Sequence, residues 1–253
     1  MRELRVFFRK ELKEGLKSWR VPIMLVVFFI LGISSPLLFK FMPALIPPEL
    51  KSAFEQFMKP TFEEMASSLA KNLSQIGVLV IILFFMGSVA EEKGKGQLEL
   101  LFARPIPRSS LIWAKFLAGS IAIILCLAIS FLAFALYFGV LFPQEIPLKN
   151  LAWGFFLFSL FFILVLSFTL FSSTLFSSGL WAGLLSGSFF LLLSFLPSLG
   201  EKFSRYSPSG LLESANLIMR GQGASFGDSL MVTVVGILIF TLLASIVLER
   251  QEF

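Results

Sequence analysis

Six long apolar stretches divide the chain, and they leave it little choice of fold. They lie at about 21–42, 73–90, 112–142, 151–176, 179–199 and 229–248. Most of them reach the roughly 20 residues that a helix needs to cross a hydrocarbon layer of about 30 Å. Backbone polar groups inside a bilayer must be hydrogen-bonded within the protein, so spans of this kind form helices. The sequence therefore predicts an all-α integral membrane protein with six transmembrane helices.

The second stretch is the weakest of the six. Its uninterrupted apolar sequence begins only at Ile76, so a full span must include Leu73 to Gln75. A re-entrant segment is the alternative there, and it would change the topology.

Composition excludes a soluble globule in either case, because hydrophobic residues make up 57% of the 253 residues, against about 45–50% in an average soluble domain.

Basic residues are distributed unevenly between the two sides that six spans create. With the N-terminus inside, the inner segments are 1–20, 91–115, the short turn near Ser177 and the tail from Glu249, and they hold 13 of the 21 Lys and Arg residues. Cytoplasmic loops carry an excess of Lys and Arg. We therefore expect a protein of the cell (plasma or inner) membrane with both termini and the 91–115 segment in the cytoplasm.

The first twenty residues have the pattern of an amphipathic helix. One face of the helical wheel carries Leu4, Phe8, Leu12, Leu16 and Trp19, and the opposite face carries Arg2, Arg9, Lys13, Lys17 and Arg20. This division is typical of a helix in the membrane interface, so we predict an interfacial helix over 1–20. A signal peptide is the alternative, but the apolar run that follows is about twice the length of an h-region and no small-residue cleavage site follows it.

The charged segment between the second and third stretches has the features of a docking surface. We predict a short helix over Glu91–Phe102. Its apolar side would carry Leu98, Leu101 and Phe102, and its side facing solvent or a partner would carry Glu92, Lys95 and Glu99. Pro105 and Pro107 would then end the helix. A solvated loop that only follows the charge rule for cytoplasmic loops is the alternative that the pattern leaves open.

The same segment has an acidic and basic start, a Gly-x-Leu-Glu-Leu-Leu run, an Arg-Pro pair, a further Arg and a downstream Lys. The residues of this pattern are Glu92, Gly96, Leu98, Glu99, Leu100, Leu101, Arg104, Pro105, Arg108 and Lys115. The pattern resembles the loop between the second and third spans of ABC-2-type transporter permeases, the membrane subunits of six-span ABC exporters. A weaker similarity to the outer loop of the same family lies in Ser207-Pro208, Arg220-Gly221 and Asp228.

The resemblance implies a role for the segment. It implies a coupling helix that fits a groove on a separate ATP-hydrolysing subunit; that subunit would hold ATP and Mg, and this chain would bind no cofactor. The coupling residues implied in this way are Glu91, Glu92, Gly96, Leu98, Glu99, Leu100, Leu101, Phe102, Arg104, Pro105 and Arg108. It also implies a dimer of two permease copies, since a six-span chain is half of such a transporter.

Small and hydroxyl residues mark two further stretches. Gly179, Gly183 and Gly187 recur every four residues in the fifth stretch, which forms a smooth face on which another helix can approach closely. We predict a helix-packing or dimer interface there, within the chain or between copies. The Ser and Thr residues between 167 and 177 would line a wetted path or bond to their own helix.

Several kinds of chemistry lack their residues. The chain has no His, Asp228 is its only Asp and Cys126 its only Cys. This excludes histidine-based hydrolase and haem sites, two-aspartate intramembrane proteases and multi-cysteine metal sites. The chain also has no Gly-x-x-x-x-Gly-Lys-Ser/Thr loop. We therefore expect no metal site and no enzyme activity in the chain itself; another chain must hydrolyse any ATP that drives it.

We expect the permease subunit of an ATP-binding-cassette exporter. Its partners would be a separate ATPase subunit, a second copy of the chain, the lipid bilayer and an extracytoplasmic protein at the outer segments, but not nucleic acid. An ATPase-driven scaffold or mechanotransmitter that acts on an outer partner is the first alternative. An ion-coupled secondary carrier is the second, disfavoured because ionisable residues are missing from the middle of the six stretches.

Overall fold

Helices make up all the regular structure that can be described. The computed structural model describes residues 2–45, 61–102 and 107–251, and every regular element in these ranges is helical. The α-helices are α1 Arg2–Lys17, α2 Arg20–Leu45, α3 Phe62–Asn72, α4 Val78–Phe85, α5 Ala90–Gly94, α6 Gln97–Phe102, α7 Ser109–Leu141, α8 Leu148–Leu175, α9 Gly179–Phe195, α10 Glu201–Tyr206, α11 Ser209–Met219 and α12 Gly227–Arg250. A π-helical turn, Leu73–Gly77, joins α3 to α4, and a 3₁₀ turn, Leu196–Leu199, follows α9.

Five helical stretches of the described chain are long and apolar enough to cross a membrane. They are Arg20–Phe41, Phe62–Gly94, Ser109–Leu141, Leu148–Leu175 and Gly227–Arg250. The remaining apolar helix, Gly179–Phe195, has 17 residues, which corresponds to about 26 Å at the usual rise per residue. The predicted all-α membrane fold is confirmed by this set of helices.

The second spanning stretch begins earlier than the apolar sequence suggests. Thr61 caps α3 by accepting a hydrogen bond from the backbone N–H of Glu64 at 3.4 Å, and α3 continues through the π-helical turn into α4. The sequence pattern predicts short amphipathic helices over 48–58 and 61–73 in the outer segment. The second is present as α3, with Met65 and Leu69 fully buried in the bundle, and 48–58 lies outside the described residues.

Helix α8 lies at the centre of the bundle. It packs against α4, α7, α9, α11 and α12, and Phe158, Phe161 and Phe162 on it are fully buried. The ring of Phe162 meets that of Phe28 on α2 edge-on, with 6.1 Å between centroids. Aromatic pairs of this geometry contribute about 0.5–1.5 kcal/mol beyond the area they bury, so many of the Phe side chains stabilise the core rather than face lipid.

Helix α1 docks on the bundle, and only part of the apolar face predicted for the membrane interface, Leu4 and Phe8, packs there. Phe7 is buried and packs near Leu98, whereas Leu16 and Trp19 are 58% and 70% exposed. Because Glu11 also turns inward to bond Lys115, the docked face is centred between Phe7 and Glu11. Trp19, with a φ of 61°, forms the sharp turn into α2.

Candidate coupling site

The charged segment forms two short helices instead of the single helix predicted. Helix α5 ends where Gly96 adopts a left-handed conformation with a φ of 66°, a position that glycine occupies without steric cost. Its N–H donates to the carbonyl of Lys93 at 3.0 Å, and the N–H of Lys95 donates to the carbonyl of Glu91 at 3.0 Å. Helices α5 and α6 and the turn between them, residues 90–102, are called the coupling hairpin below.

Ser173 on α8 holds the start of the coupling hairpin. Its hydroxyl oxygen accepts hydrogen bonds from the backbone N–H groups of Val89 and Ala90, at 3.0 and 2.9 Å, and its O–H donates to the carbonyl of Met86 at 2.8 Å. Val89 and Ala90 are buried at the point where the second span turns into α5. Sequence reasoning placed Ser173 only among residues that bond to their own helix or line a path, because its partners are more than 80 positions away.

A buried charged triad joins the coupling hairpin to α1 and α7. The ammonium group of Lys115 on α7 lies 2.8 Å from a carboxylate oxygen of Glu92 and 3.1 Å from one of Glu11. The Lys115 side chain is 4% exposed, and those of Glu11 and Glu92 are 14% and 15% exposed. The sequence predicted that Glu92 faces solvent or a partner. This is wrong, because Glu92 turns inward to pair with Lys115.

Glu11 is the member of this triad that sequence reasoning missed. It lies about one helical turn from Phe7 and Phe8, on the side of α1 that meets the bundle. A single carboxylate at an apolar docking face needs a buried cation as partner. The position of Glu11 on an apolar face is therefore the signal in the sequence from which an ion pair with a Lys of an inner segment could have been predicted.

The apolar side of the coupling hairpin is filled by the chain itself. Leu98 is 1% exposed and packs in a cluster with Phe7, Val89, Leu111 and Leu248, and Leu101 is partly buried against the same cluster. Burial of this kind removes apolar area from water. Leu98 is thus not available to fill a groove on another subunit, contrary to the expectation from the sequence.

One edge of the coupling hairpin stays exposed. Lys95, Gln97 and Glu99 are all exposed there, and we call these three residues the hairpin edge. Lys95 lies 3.4 Å from Glu91, which is also 3.9 Å from Arg20. Surface pairs like these contribute about 0–1 kcal/mol each, so the hairpin edge can exchange them for a partner at little cost.

Four of the predicted coupling residues cannot be placed in this way. Arg104 and Pro105 lie outside the described residues, as do the side chains of Leu100 and Phe102. Of the predicted set, the structure brings Glu91, Gly96 and Glu99 to the exposed side of the segment or its turn, and it places Glu92 and Leu98 inside.

Arg108 binds the end of the last span. One of its guanidinium nitrogens donates to the carbonyls of Leu248 and Glu249 at 3.4 Å and makes a shorter hydrogen bond to that of Gln251. Gln251 in turn donates to the carbonyl of Thr174 at 2.9 Å. The last carbonyls of a helix lack partners within it, so Arg108 caps α12 and ties it to the segment that follows the coupling hairpin.

Glycines allow the close approach of neighbouring backbones at this end of the bundle. A Cβ on Gly94 would lie 2.6 Å from the carbonyl oxygen of Ser177, and one on Gly179 would lie 3.2 Å from the Cα of Gly87. A Cβ on Gly183 would meet the sulfur of Met86 at 2.5 Å. The fifth-stretch glycines at 179 and 183 therefore pack within the chain, whereas a Cβ on Gly187 would have no atom within 4 Å among the described residues.

The residues of the weaker outer similarity lie together at the other end of the bundle. Arg205 donates to the carboxylate of Asp228 at 2.5 Å, and the hydroxyls of Ser207 and Ser209 are 2.7 Å apart. The hydrogen bond to Asp228, together with the charge of that carboxylate, raises the pKa of Arg205 above its ordinary value. Gly221, with a φ of 76°, follows the end of α11. These contacts order the outer segment but show no chemistry of their own.

We expect the Ser173→Ala variant to be less stable than the native chain by about 2 kcal/mol, because it leaves two buried N–H groups without an acceptor. Thermal unfolding in detergent measures this. Ser167→Ala is the matched control, since Ser167 lies on the same helix and donates only to the carbonyl of Ile163 in its own previous turn. Equal unfolding temperatures for the two variants would contradict the role given to Ser173.

Comparison with known proteins identifies the family. The sequence model of a family described as "ABC-2 family transporter protein" matches residues 5–206, about four-fifths of the chain. This chain belongs to the ABC-2 transporter family. An ABC-2 member is a multi-pass membrane protein, the permease subunit of an ABC transporter; it has no catalytic activity of its own and works with a partner ATPase subunit. The matched range contains the whole coupling hairpin and the charged triad.

The chain also resembles a bacterial protein along its full length. It is 25% identical over 260 aligned positions to the "Uncharacterized transmembrane protein YxlG" of Bacillus subtilis (strain 168). The alignment covers 100% of this chain and 99% of that protein. The similarity therefore includes the outer segment beyond residue 206, where the family match ends.

Proposed function

We propose that this permease exports its substrate with energy from ATP hydrolysed on a separate subunit, and that the hairpin edge is where that subunit docks. ATP and Mg would be held by the ATPase subunit. The observation that carries the proposal is the contrast within one short segment: Lys95, Gln97 and Glu99 are exposed, while Glu92 and Leu98 anchor the same segment in the bundle.

The anchors explain how a push on the hairpin edge would reach the spans. Glu92 is bonded to Lys115 on α7, Ser173 on α8 bonds Val89 and Ala90, and Arg108 bonds the end of α12. A flexible loop would absorb the closure of an ATPase dimer. A hairpin bonded to two spans, and followed by an arginine that binds a third, transmits it. ATP binding would thereby shift the permease between inner-open and outer-open arrangements.

The orientation and the second copy belong to the same proposal. The excess of Lys and Arg on the side of the coupling hairpin supports a cytoplasmic location for the hairpin and both termini. Gly187, which has open space around it, lies on a helix whose Gly179 and Gly183 are used within the chain. We place the contact with a second permease copy on that open part of α9, so that two chains complete one transporter.

Charge reversal at Glu99 tests the docking surface. We expect Glu99→Lys to reduce the amount of ATPase subunit that co-purifies in detergent by at least about tenfold, because like charges brought together at an interface cost several kcal/mol. The partner to use is the ATPase subunit encoded beside the permease gene. Since Glu99 is exposed, the substitution leaves the fold intact.

Glu145→Lys is the matched control for this experiment. Glu145 is also exposed and follows the far end of α7, about 50 Å from its start at the usual helical rise. Full co-purification of the Glu145→Lys chain together with loss in the Glu99→Lys chain supports the proposal. Equal ATPase recovery from the native and Glu99→Lys chains would place the docking surface elsewhere.

The mechanotransmitter alternative also has an observation in its favour. An open cavity of about 650 Å³ lies between α10, α11 and the start of α12, and its lining includes Ser204, Glu213 and Ser225. A recess of this size has room for a loop of an outer partner. Substrate accumulation in sealed vesicles that needs ATP and no outer protein would decide for transport and against this alternative.

A further inference from the structure

The exposed face of α1 is strongly basic. Arg5, Arg9, Lys13 and Lys17 are exposed on it, and Lys10 is 3.8 Å from Glu14. This face lies opposite the one that docks on the bundle through Phe7 and Glu11. The coupling mechanism proposed above makes no use of it.

Apolar side chains border this basic face. Leu16 and Trp19 are exposed beside it and have no cluster of the bundle to pack against among the described residues. A Trp at the level of lipid headgroups, next to a row of Lys and Arg, is the pattern of an interfacial helix on an anionic membrane. An acidic protein surface would satisfy the cations but would leave these apolar groups in water, so a lipid surface fits both features.

The opposite face of α1 is connected to the coupling hairpin through the charged triad. Glu11 bonds Lys115 at 3.1 and 3.2 Å, and Lys115 bonds Glu92 of α5 at 2.8 Å. The Lys115 side chain is 4% exposed, so water screens its attraction to the two carboxylates much less than at the surface. A displacement of α1 must therefore either move Glu92 or break a buried charge contact.

We propose that anionic lipid headgroups on the basic face of α1 hold this helix in place and, through Glu11, Lys115 and Glu92, set the position of the coupling hairpin. Bilayer charge would thus regulate the permease. The attraction of basic residues to an anionic leaflet acts within about a Debye length, so the effect is lost at high salt. The regulation of the ATPase rests on the function proposed above, but the link between lipid and hairpin does not.

Hydrogen exchange in the permease alone tests this link. The native chain is placed in nanodiscs of phosphatidylcholine, or of an equimolar mixture of phosphatidylcholine and phosphatidylglycerol. Coupling between sites in proteins corresponds to about 5- to 150-fold, and we expect the backbone amides of residues 90–98 to exchange at least about fivefold more slowly in the mixed bilayer. No ATPase is present, so failure here and failure of the docking proposal are distinguishable.

Three variants separate the steps. The double variant Lys13→Gln with Lys17→Gln removes exposed cations and is expected to abolish the difference between the two bilayers. Lys149→Gln, an exposed cation at the start of α8, should keep it. Glu11→Gln should also lose the response at residues 90–98, since the neutral amide no longer pairs with Lys115; slow exchange in α8 verifies that this variant is folded.

The possible results leave no neutral outcome. Equal exchange of the native chain in the two bilayers overturns the proposal. A difference between the bilayers that survives in the Lys13 and Lys17 double variant also overturns it, because the lipid then acts elsewhere. A difference that survives in Glu11→Gln overturns it as well, because the triad then does not transmit the effect of the lipid. Protection of α1 that appears only when the ATPase subunit is added assigns the basic face to that protein instead.

Discussion

The Lys115→Met variant is expected to lose about 3–5 kcal/mol of unfolding free energy, the cost of removing one partner from a buried ion pair. The substitution keeps an unbranched side chain, one atom shorter, and removes the only cation within reach of Glu11 and Glu92 in the described structure. Two carboxylates that are largely buried would then face each other without compensation. We expect α1 and the coupling hairpin to detach from α7 before the spans unfold.

Thermal unfolding in detergent, with hydrogen exchange at α1 and the coupling hairpin, measures this effect. Replacing a whole buried ionic cluster by neutral groups is often close to neutral in stability. The triple variant Glu11→Gln, Glu92→Gln, Lys115→Met should therefore recover most of the loss. A Lys149→Met control changes an exposed Lys and should unfold like the native chain. A Lys115→Met chain of native stability would show that the triad adds nothing.

The fold was predictable because each apolar stretch that dictates it is continuous in the sequence. A bilayer allows one solution for an apolar stretch of about 20 residues, a helix with its backbone hydrogen bonds closed. Each span can therefore be recognised from its own sequence, without information on the helices that pack against it. The continuity of α3 with the second span could not be predicted in this way, since α3 carries Glu63 and Glu64 and joins the apolar stretch through a π-helical turn and packing.

The sequence indicated which segment forms the candidate site, but it did not indicate which of its side chains point into the bundle. Short helices are present at 90–102, the segment where the resemblance implies a coupling helix, and the coupling role itself stays a prediction. Whether Glu92 faces a partner or the bundle depends on Lys115, which is 23 residues away, and on Glu11, which is 104 residues from Lys115. Local periodicity carries no information on such pairs, so the inward turn of Glu92 and Leu98 appears only in the structure.

Glycine packing shows the same limit. The spacing of Gly179, Gly183 and Gly187 predicted a helix-packing face. Among the described residues, however, the contact between two spans that a Cβ would obstruct most is at Gly32. A Cβ there would lie 2.3 Å from the carbonyl oxygen of Ser130 on α7. Small residues allow helix backbones to touch in a membrane bundle. A single glycine in an apolar run has no pattern, so its role could not be inferred from the sequence.

Gly32→Ala is accordingly expected to destabilise the chain by about 3 kcal/mol, at the upper end for overpacking. The added methyl meets the backbone of Ser130 at 2.3 Å, and neither helix can rotate a side chain out of the way. The two helices must separate along the interface that contains Phe29 of α2 and Tyr137 of α7. Thermal unfolding in detergent is the measurement.

Gly187→Ala is the matched control, and its expected effect has the opposite sign. Both substitutions exchange helical Gly for Ala, which by itself favours the helix by up to about 1 kcal/mol. Around Gly187 a Cβ meets no atom of the described residues within 4 Å, so the permease monomer should be unchanged or slightly more stable. The difference between the two variants isolates the steric cost at Gly32, because helix propensity cancels. Equal effects would mean that α2 and α7 do not approach each other as closely as the structure shows, and a loss of dimer mass in Gly187→Ala alone would place the second copy against α9.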